Sequence, residues 1–147
     1  MTGVLRISEA SSLALHTMVL LAARPGEHLS VGRIASALGV SGAHLSKVLQ
    51  RLARVGLVRS VRGPKGGFAL GRSAEEITLL DVYEAIEGPL SSSACLLARP
   101  ICEGKRCILG KLLVSVNEQV RKHLAEARLS ELPSPFWRKH AHAARDH

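Results

Sequence analysis

Apolar residues at steps of three and four open the chain and predict two short helices. The first helix is expected from Leu13 to Ala23 and stops at the helix-breaking pair Pro25-Gly26. The second begins at Ser30, a favourable N-cap residue, and ends at Gly39, because glycine accepts the positive φ of a helix exit. The first part of the chain is therefore predicted to form two helices, each ended by a helix-terminating residue or pair.

A third helix is predicted after Ser41, its expected N-cap. Its inward stripe consists of Leu45, Val48, Leu49 and Leu52. Its other faces carry His44, Lys47, Gln50, Arg51 and Arg54. Two short helices around a glycine turn, the second with an exposed polar face, are typical of a helix-turn-helix.

A β-hairpin is predicted directly after the third helix. Residues 57–62 have strand character, residues 63–67 form a glycine-rich turn, and Phe68 and Leu70 share one face of the return strand. Arg62 and Lys65 lie at the turn, whose glycines would allow close approach to a phosphate backbone. The predicted fold class is mainly α with a small β-hairpin wing, a winged helix-turn-helix domain followed by a long dimerisation helix.

Two further helices are predicted on either side of a loop. Thr78 and Asp81 have the spacing of a capping box, and Gly88-Pro89 ends that short helix. The longest helical pattern runs over 108–132, and its apolar stripe is Leu109, Leu112, Leu113, Val116, Val120, Leu124 and Ala127. A helix this long beside a small domain favours pairing with a second copy, giving a homodimer. The alternative is packing against the chain's own first helix.

These elements divide the chain into four predicted parts. They are a winged helix-turn-helix domain (1–88), a cysteine loop (89–107), a dimerisation helix (108–132) and a basic, mobile tail (133–147). The longest apolar stretch, 19–23, is far shorter than the ~20 residues of a bilayer span. The amino terminus also lacks a secretory pattern, so we expect a cytoplasmic protein with no membrane partner.

Positive charge is concentrated in the middle third of the chain. The net charge is +8, and no acidic residue lies between Glu27 and Glu75, where eight residues are basic. This excess indicates a polyanionic partner. Aromatic residues make up only 3%, which argues against a protein that stacks single-stranded bases. Double-stranded DNA is therefore the expected partner, and a winged fold used for protein contacts is the alternative.

The basic segment divides into two expected roles. The major groove admits a helix and presents a distinct pattern for each base pair. The residues expected to face base edges are Ser41, His44 and Lys47. Those expected to contact phosphates are Arg51, Arg54 and Arg59. On the wing, Arg62 or Lys65 would reach the minor groove or flanking phosphates.

All three cysteines of the chain lie in one loop, at Cys95, Cys102 and Cys107. An odd number in a cytosolic chain argues against a disulfide framework. A structural zinc site usually has closer cysteine pairs and four protein ligands. An iron–sulfur cluster accepts wider spacing, and the basic residues Arg99, Lys105 and Arg106 favour the thiolate. Spacing alone leaves a cluster, a zinc ion, a thiol switch and inert cysteines open.

An enzyme is disfavoured by two observations. No phosphate-binding glycine loop follows a predicted strand, and no acid/base pair accompanies the cysteines. We therefore expect a binding protein.

Several segments together resemble a known family. They are Ile34-Ala35, Leu38 to Leu52, Gly56-Leu57-Val58, Ser60 to Pro64, Gly66-Gly67-Phe68, Ile77 to Ile86 and Val116-Asn117-Glu118. They look like the IscR/NsrR-type regulators, the Rrf-two family, and the wing is the most specific part. The resemblance implies a homodimeric winged-helix transcription factor, usually a repressor. In many members three cysteines of this loop bind a [2Fe–2S] or [4Fe–4S] cluster that reports cluster status, nitric oxide, iron or redox state.

The chain departs from the family at the fourth cluster ligand. Some members use a histidine three residues after the last cysteine, where this chain has Gly110. Others use an acidic residue of the partner's first helix, where this chain has Ser12, with Glu9 and His16 nearby. The fourth ligand is therefore unassigned. The operator is not transferable either, because His44, Ser46 and Lys47 differ from the best-known members.

Overall fold

The structure, a computed structural model, describes residues 5–90, 95–97, 99–102, 107–109 and 111–132. In chain order its elements are α1 (Glu9–Ala22), α2 (Val31–Leu38), α3 (Gly42–Arg54), β1 (Val58–Val61), β2 (Gly67–Leu70), α4 (Leu79–Glu87), α5 (Leu112–Glu126) and a 3-10 turn (Leu129–Glu131). The predicted fold class, mainly α with a hairpin wing, is confirmed. The tail at 133–147 lies outside the described residues, and none of the described helices is long and apolar enough to cross a membrane.

Side-chain caps fix the helix-turn-helix where the sequence predicts it. Ser30 Oγ accepts a hydrogen bond from the Arg33 N–H at 3.2 Å, and Ser41 Oγ accepts one from the His44 N–H at 3.1 Å. Each cap satisfies a backbone donor that the first helical turn leaves without a partner. Gly39 has φ +66°, the left-handed conformation that ends α2. The predicted N-caps Ser30 and Ser41 and the predicted helix end at Gly39 are therefore confirmed.

Helix α1 begins earlier than predicted, at Glu9 instead of Leu13, and ends at Ala22. The reason is the N-cap Ser8, whose Oγ accepts from the Ser11 N–H at 3.1 Å. The first turn is polar, so apolar periodicity does not reveal it. Ser11 is nevertheless fully buried, which makes this turn part of the packed domain.

One apolar core holds α1 to α4 and the hairpin together. Leu45, Leu49 and Leu52 of α3 are fully buried in it, as the inward stripe predicts. Burial of each such side chain contributes about 1.5–3 kcal/mol to stability. The core fixes the rotation of α3, and the polar side of that helix consequently faces outward.

The hairpin is anchored to the loop between α1 and α2. Strands β1 and β2 pair from Val58↔Leu70 to Val61↔Gly67, and Phe68 exchanges two backbone hydrogen bonds with Leu29, at 2.7 and 2.9 Å. A Cβ on Gly67 would lie 2.5 Å from the Leu29 carbonyl, and Gly67 has φ +150°. The sequence predicts that the glycines of this turn allow close approach to a phosphate backbone. At Gly67 the structure instead gives the close approach to the chain's own backbone.

Helix α5 is shorter than the predicted 108–132 at both ends, because it begins at Leu112 and ends at Glu126. Residues 127–130 instead run along 74–79, with hydrogen bonds from the Leu79 N–H to the Ala127 carbonyl (2.9 Å) and from the Leu129 N–H to the Ile77 carbonyl (3.0 Å). Leu129 is buried in the core. Burial of Leu129 and these backbone hydrogen bonds stabilise the chain more than an extension of α5 would. Among the described elements, α5 packs mainly against α4.

Candidate nucleic-acid interface and cysteine segment

The basic side chains predicted to contact DNA lie exposed on α3 and the hairpin, which pack against each other. They are Lys47, Arg51, Arg54, Arg59, Arg62 and Lys65. Within the described residues, the ion pairs are Arg24–Glu27 and His44–Glu9, so none of the six has a carboxylate partner there. Uncompensated charge of one sign produces a positive potential that attracts a polyanion. The structure thus places the predicted basic residues on two adjoining elements.

The amino-terminal end of α3 combines a cap with a charged neighbour. The Ser41 oxygen is used as the helix cap, and its O–H remains a donor. His44 Nδ1 lies 3.9 Å from Glu9 Oε1 of α1, and the His44 side chain is 37% exposed. The pair is attractive only while the imidazole is protonated. The sequence predicts that His44 faces base edges, but it does not predict the contact of His44 with Glu9.

Arg51 has a partner inside the chain. Its Nη2 donates to the backbone carbonyl of Ile86, in the last turn of α4. A guanidinium has five N–H donors, so donors remain for a phosphate. Arg51 and Ile86 are 35 residues apart. No local pattern signals the contact, and the phosphate role of Arg51 stays a prediction.

Ile86 is the first of five residues, 86–90, that connect the end of α4 to the cysteine segment. We call these residues the α4 junction. Glu87 Oε1 accepts from the Ser11 hydroxyl at 2.5 Å and from the Ser8 N–H at 3.2 Å. Hydrogen bonds from Ser11 and then Ser8 hold the pKa of the Glu87 carboxyl below its usual value. Arg121 of α5 donates from Nη2 to the Leu90 carbonyl. The junction therefore contacts α1, α3 and α5.

The cysteine segment (89–107) begins within the junction, which it shares at residues 89 and 90, and continues from it. Cys95 and Cys107 are half-buried, Cys102 is exposed, and none of the three forms a disulfide. The Leu97 N–H donates to Cys95 Sγ at 3.4 Å. Within the described part of the chain, no three His, Cys, Asp or Glu side chains lie close enough to hold a metal ion. Three thiols on one segment fit an iron–sulfur cluster chemically, but this conformation does not bring them together. Gly110 and 103–106 lie outside the described residues.

Apolar side chains are exposed around this segment. Ile101 is 87% exposed, Ile108 is 92% exposed and Leu112, at the start of α5, is 58% exposed. The next residue of α5, Leu113, is buried, and so is Asn117 one helical turn later. Large apolar side chains as exposed as these are typical of an interaction surface when they form one patch.

The sequence resembles a family of transcriptional regulators and several known bacterial proteins. A model of the family Rrf2, described as "Iron-dependent Transcriptional regulator", matches residues 7–134. The chain is 42% identical to Protein aau3 of Rhizobium meliloti over 98 residues, which are 66% of this chain and 63% of that protein. It is 34% identical to the HTH-type transcriptional regulator IscR of Xenorhabdus nematophila over 94 residues, 64% of this chain and 57% of that one. The matches thus span less than two thirds of these relatives' length.

Solved structures resemble the fold over most of the chain. CymR (YrzC), the global cysteine regulator of B. subtilis, superposes with a TM-score of 0.75 at 28% identity, covering 86% of this chain and 95% of that one. The oxidized form of Staphylococcus aureus CymR gives 0.71 at 28% identity, with coverage of 88% and 99%. IscR of T. potens gives 0.69 at 24% identity, with coverage of 97% and 93%, and supports the fold alone.

The family match extends over far more than half of the chain, from α1 through the 3-10 turn. It agrees with the resemblance read from the wing and the third helix, and it confirms the expectation of a regulator and not an enzyme. The chain belongs to the Rrf2 family of transcriptional regulators.

Proposed function

We propose that the chain binds double-stranded DNA as a homodimer, acts as a repressor, and has its DNA affinity set by the state of Cys95, Cys102 and Cys107. The observation that carries the DNA part is the exposed basic surface of α3 and the hairpin, which has no carboxylate partner within the described residues. Phosphate contacts from such a surface supply much of the affinity of DNA-binding proteins.

In this proposal the amino-terminal half of α3 enters the major groove. Ser41, His44 and Lys47 read base edges there, because they lie on the first turns of the helix and are at least partly exposed. Phosphates are contacted by Arg51, Arg54 and Arg59. Arg62 and Lys65 of the wing contact the minor groove or flanking phosphates.

A second copy pairs along α5 and the apolar side chains beside it. Exposure of Ile108 and Leu112 supports this interface, since a second copy would remove both from water. A two-fold dimer presents two α3 helices about one DNA turn apart, roughly 34 Å. We therefore expect an operator with two-fold symmetry.

An iron–sulfur cluster is the first candidate for the regulatory group. Its cysteine ligands would be Cys95, Cys102 and Cys107, and it would supply sensitivity to oxidants and to nitric oxide when bound. The thiols must move together to hold it, because the described conformation keeps them apart. Iron loading would therefore reshape the segment next to the α4 junction. The family description and the IscR relatives support this candidate.

A thiol switch without a metal is the second candidate. The specific observation in its favour is a set of three cysteine side chains, half-buried or exposed, that are neither in a disulfide nor gathered. Two thiols would form a disulfide by giving two electrons and two protons to a peroxide, which is reduced to water. The similarity to an oxidized CymR structure adds support.

One purified preparation tests these proposals. The protein is isolated without oxygen, its iron and sulfide are measured, and its Kd is determined on a duplex selected from a random pool. The cluster candidate predicts visible absorbance that Cys95→Ser removes together with regulation. The thiol candidate predicts a colourless protein that loses two titratable thiols when peroxide changes its Kd. Absence of DNA binding at low salt in every state would refute the proposed function.

A further inference from the structure

The α4 junction (86–90) is held from both sides by arginine side chains. Arg51 of α3 donates to the Ile86 carbonyl at its start, and Arg121 of α5 donates to the Leu90 carbonyl at its end. Leu90 is only 7% exposed, and Cys95 follows five residues later. The junction is therefore the covalent route by which movement of the cysteine segment reaches α4.

The chemistry of the two contacts makes them strong. Hydrogen bonds with an ionised donor are about twice as strong as neutral ones, and this applies to both contacts. Ile86 also lies in the last turn of α4, whose carbonyls have no partner within the helix and carry its negative dipole end, so the Arg51 guanidinium compensates that end of the helix. Gly88, with φ +81°, turns the chain out of α4 between the two bonded carbonyls. Displacement of residues 86–90 therefore acts directly on both arginine contacts.

We propose that Arg51 and Arg121 are positioning residues that couple the cysteine segment to the DNA-reading helix. Arg51 ties α3 to the start of the junction, so that rearrangement at the cysteines changes how firmly α3 is held against α4. Arg121 holds the other end and transmits the displacement. This inference rests on the proposed function, because it assigns the route by which the cysteine state reaches the DNA surface.

Hydrogen exchange tests the coupling without DNA. Reduced protein and protein alkylated with N-ethylmaleimide at its cysteines are compared, and exchange is followed in peptides covering α3. We expect alkylation to speed exchange in α3 of the wild type by at least about threefold. Arg51→Met should exchange fast already when reduced and respond no further. Arg121→Met should respond less than the wild type.

Matched variants separate coupling from charge and from folding. Arg54→Met and Lys122→Met remove one charge from the same two helices at exposed positions, and they should respond as the wild type does. Arg51→Lys keeps a charged donor and should restore part of the response, which a general loss of stability would not do. If Arg51→Met fails to fold, the other two variants test the coupling. Reduced responses of Arg51→Lys and Arg121→Met support it, and full responses of both contradict it.

The inference is overturned if α3 of the wild type ignores alkylation, or if Arg51→Met responds as fully as the wild type. Kd measurements distinguish this failure from failure of the proposed function. A wild type whose Kd depends on cysteine state, with an Arg51→Met that keeps the same ratio, refutes the coupling alone. A wild type that never binds DNA refutes the proposed function, while the exchange data still decide the coupling.

Discussion

The Ser11 hydroxyl donates to the Glu87 carboxylate at 2.5 Å and joins the first turn of α1 to the last residue of α4. The same carboxylate oxygen accepts the Ser8 N–H at 3.2 Å. A carboxylate at this place also compensates the positive dipole end of α1. One acidic side chain therefore completes the amino terminus of a helix that is 76 residues away from it.

Glu87→Gln should make the unfolding free energy less dependent on pH in mild acid. Hydrogen bonding lowers the folded-state pKa of Glu87 below its usual 4.5, so its ionised form stabilises the fold above that value. The contribution should be complete above roughly pH 5.5 and should disappear as the pH falls through the folded-state pKa. Because Glu87 is exposed, we expect only ~0.5–1 kcal/mol at neutral pH.

Urea unfolding of Glu87→Gln and the wild type between pH 3 and 7 measures this effect. Glu84→Gln serves as the control, because it removes one carboxylate from the same helix and leaves the Ser11 and Ser8 bonds to Glu87 in place. Curves for wild type and Glu87→Gln should converge in acid. Parallel curves over the whole range would contradict the predicted linkage.

Removal of two buried hydroxyls of α1 should change the unfolding free energy differently. Ser11 and Thr17 are both fully buried, but Thr17 Oγ has no hydrogen-bond partner among the described residues. Thr17→Val keeps the shape and removes a buried polar group, so it should be neutral or stabilise by up to ~1 kcal/mol. Ser11→Ala leaves Glu87 Oε1 with the Ser8 N–H alone and should destabilise by about 1–2 kcal/mol. Chemical denaturation measures both, and destabilisation by Thr17→Val would show that its hydroxyl is satisfied.

Local chemistry explains which features the sequence reveals. Ser30, Ser41 and the Thr78/Asp81 box act within three residues, so their caps are readable from spacing alone. The start of α1 is hidden because its first turn is polar. The end of α5 is hidden because Leu129 gains more by packing into the core than by extending a helix.

The site shows the same division. The exposure of Lys47 and Arg59 follows from periodicity, because their apolar neighbours fix which side faces the core. The contacts of Arg51 with Ile86 and of Arg121 with Leu90 join residues 35 and 31 positions apart. Only tertiary packing specifies such pairs. Whether the cysteines gather is likewise a property of loop conformation, which their spacing does not determine.

Gly67→Ala should detach the wing from the domain. An added Cβ would lie 2.5 Å from the Leu29 carbonyl at a backbone φ of +150°, so the hairpin must move. We expect the free energy of unfolding to fall by at least ~2 kcal/mol. Gly26→Ala, with φ +80° and no atom within 4 Å of the new Cβ, should cost only about 1–2 kcal/mol. Equal losses for the two variants in thermal unfolding would contradict the anchoring role.

Lys65→Met and Lys47→Met should separate phosphate contact from base reading. Both side chains are exposed on the basic surface, but Lys65 lies at the hairpin turn and Lys47 in the first half of α3. Loss of one phosphate contact lowers the slope of log K against log salt by about 1 and weakens all sequences alike. Lys65→Met should behave in this way. Lys47→Met should instead reduce discrimination between the selected duplex and a scrambled one by about 1–3 kcal/mol.

Anisotropy titrations at four salt concentrations measure both quantities, with Arg24→Met as a control outside α3 and the hairpin. If the two lysine variants gave the same slope and the same discrimination, the placement of α3 in the groove would be wrong.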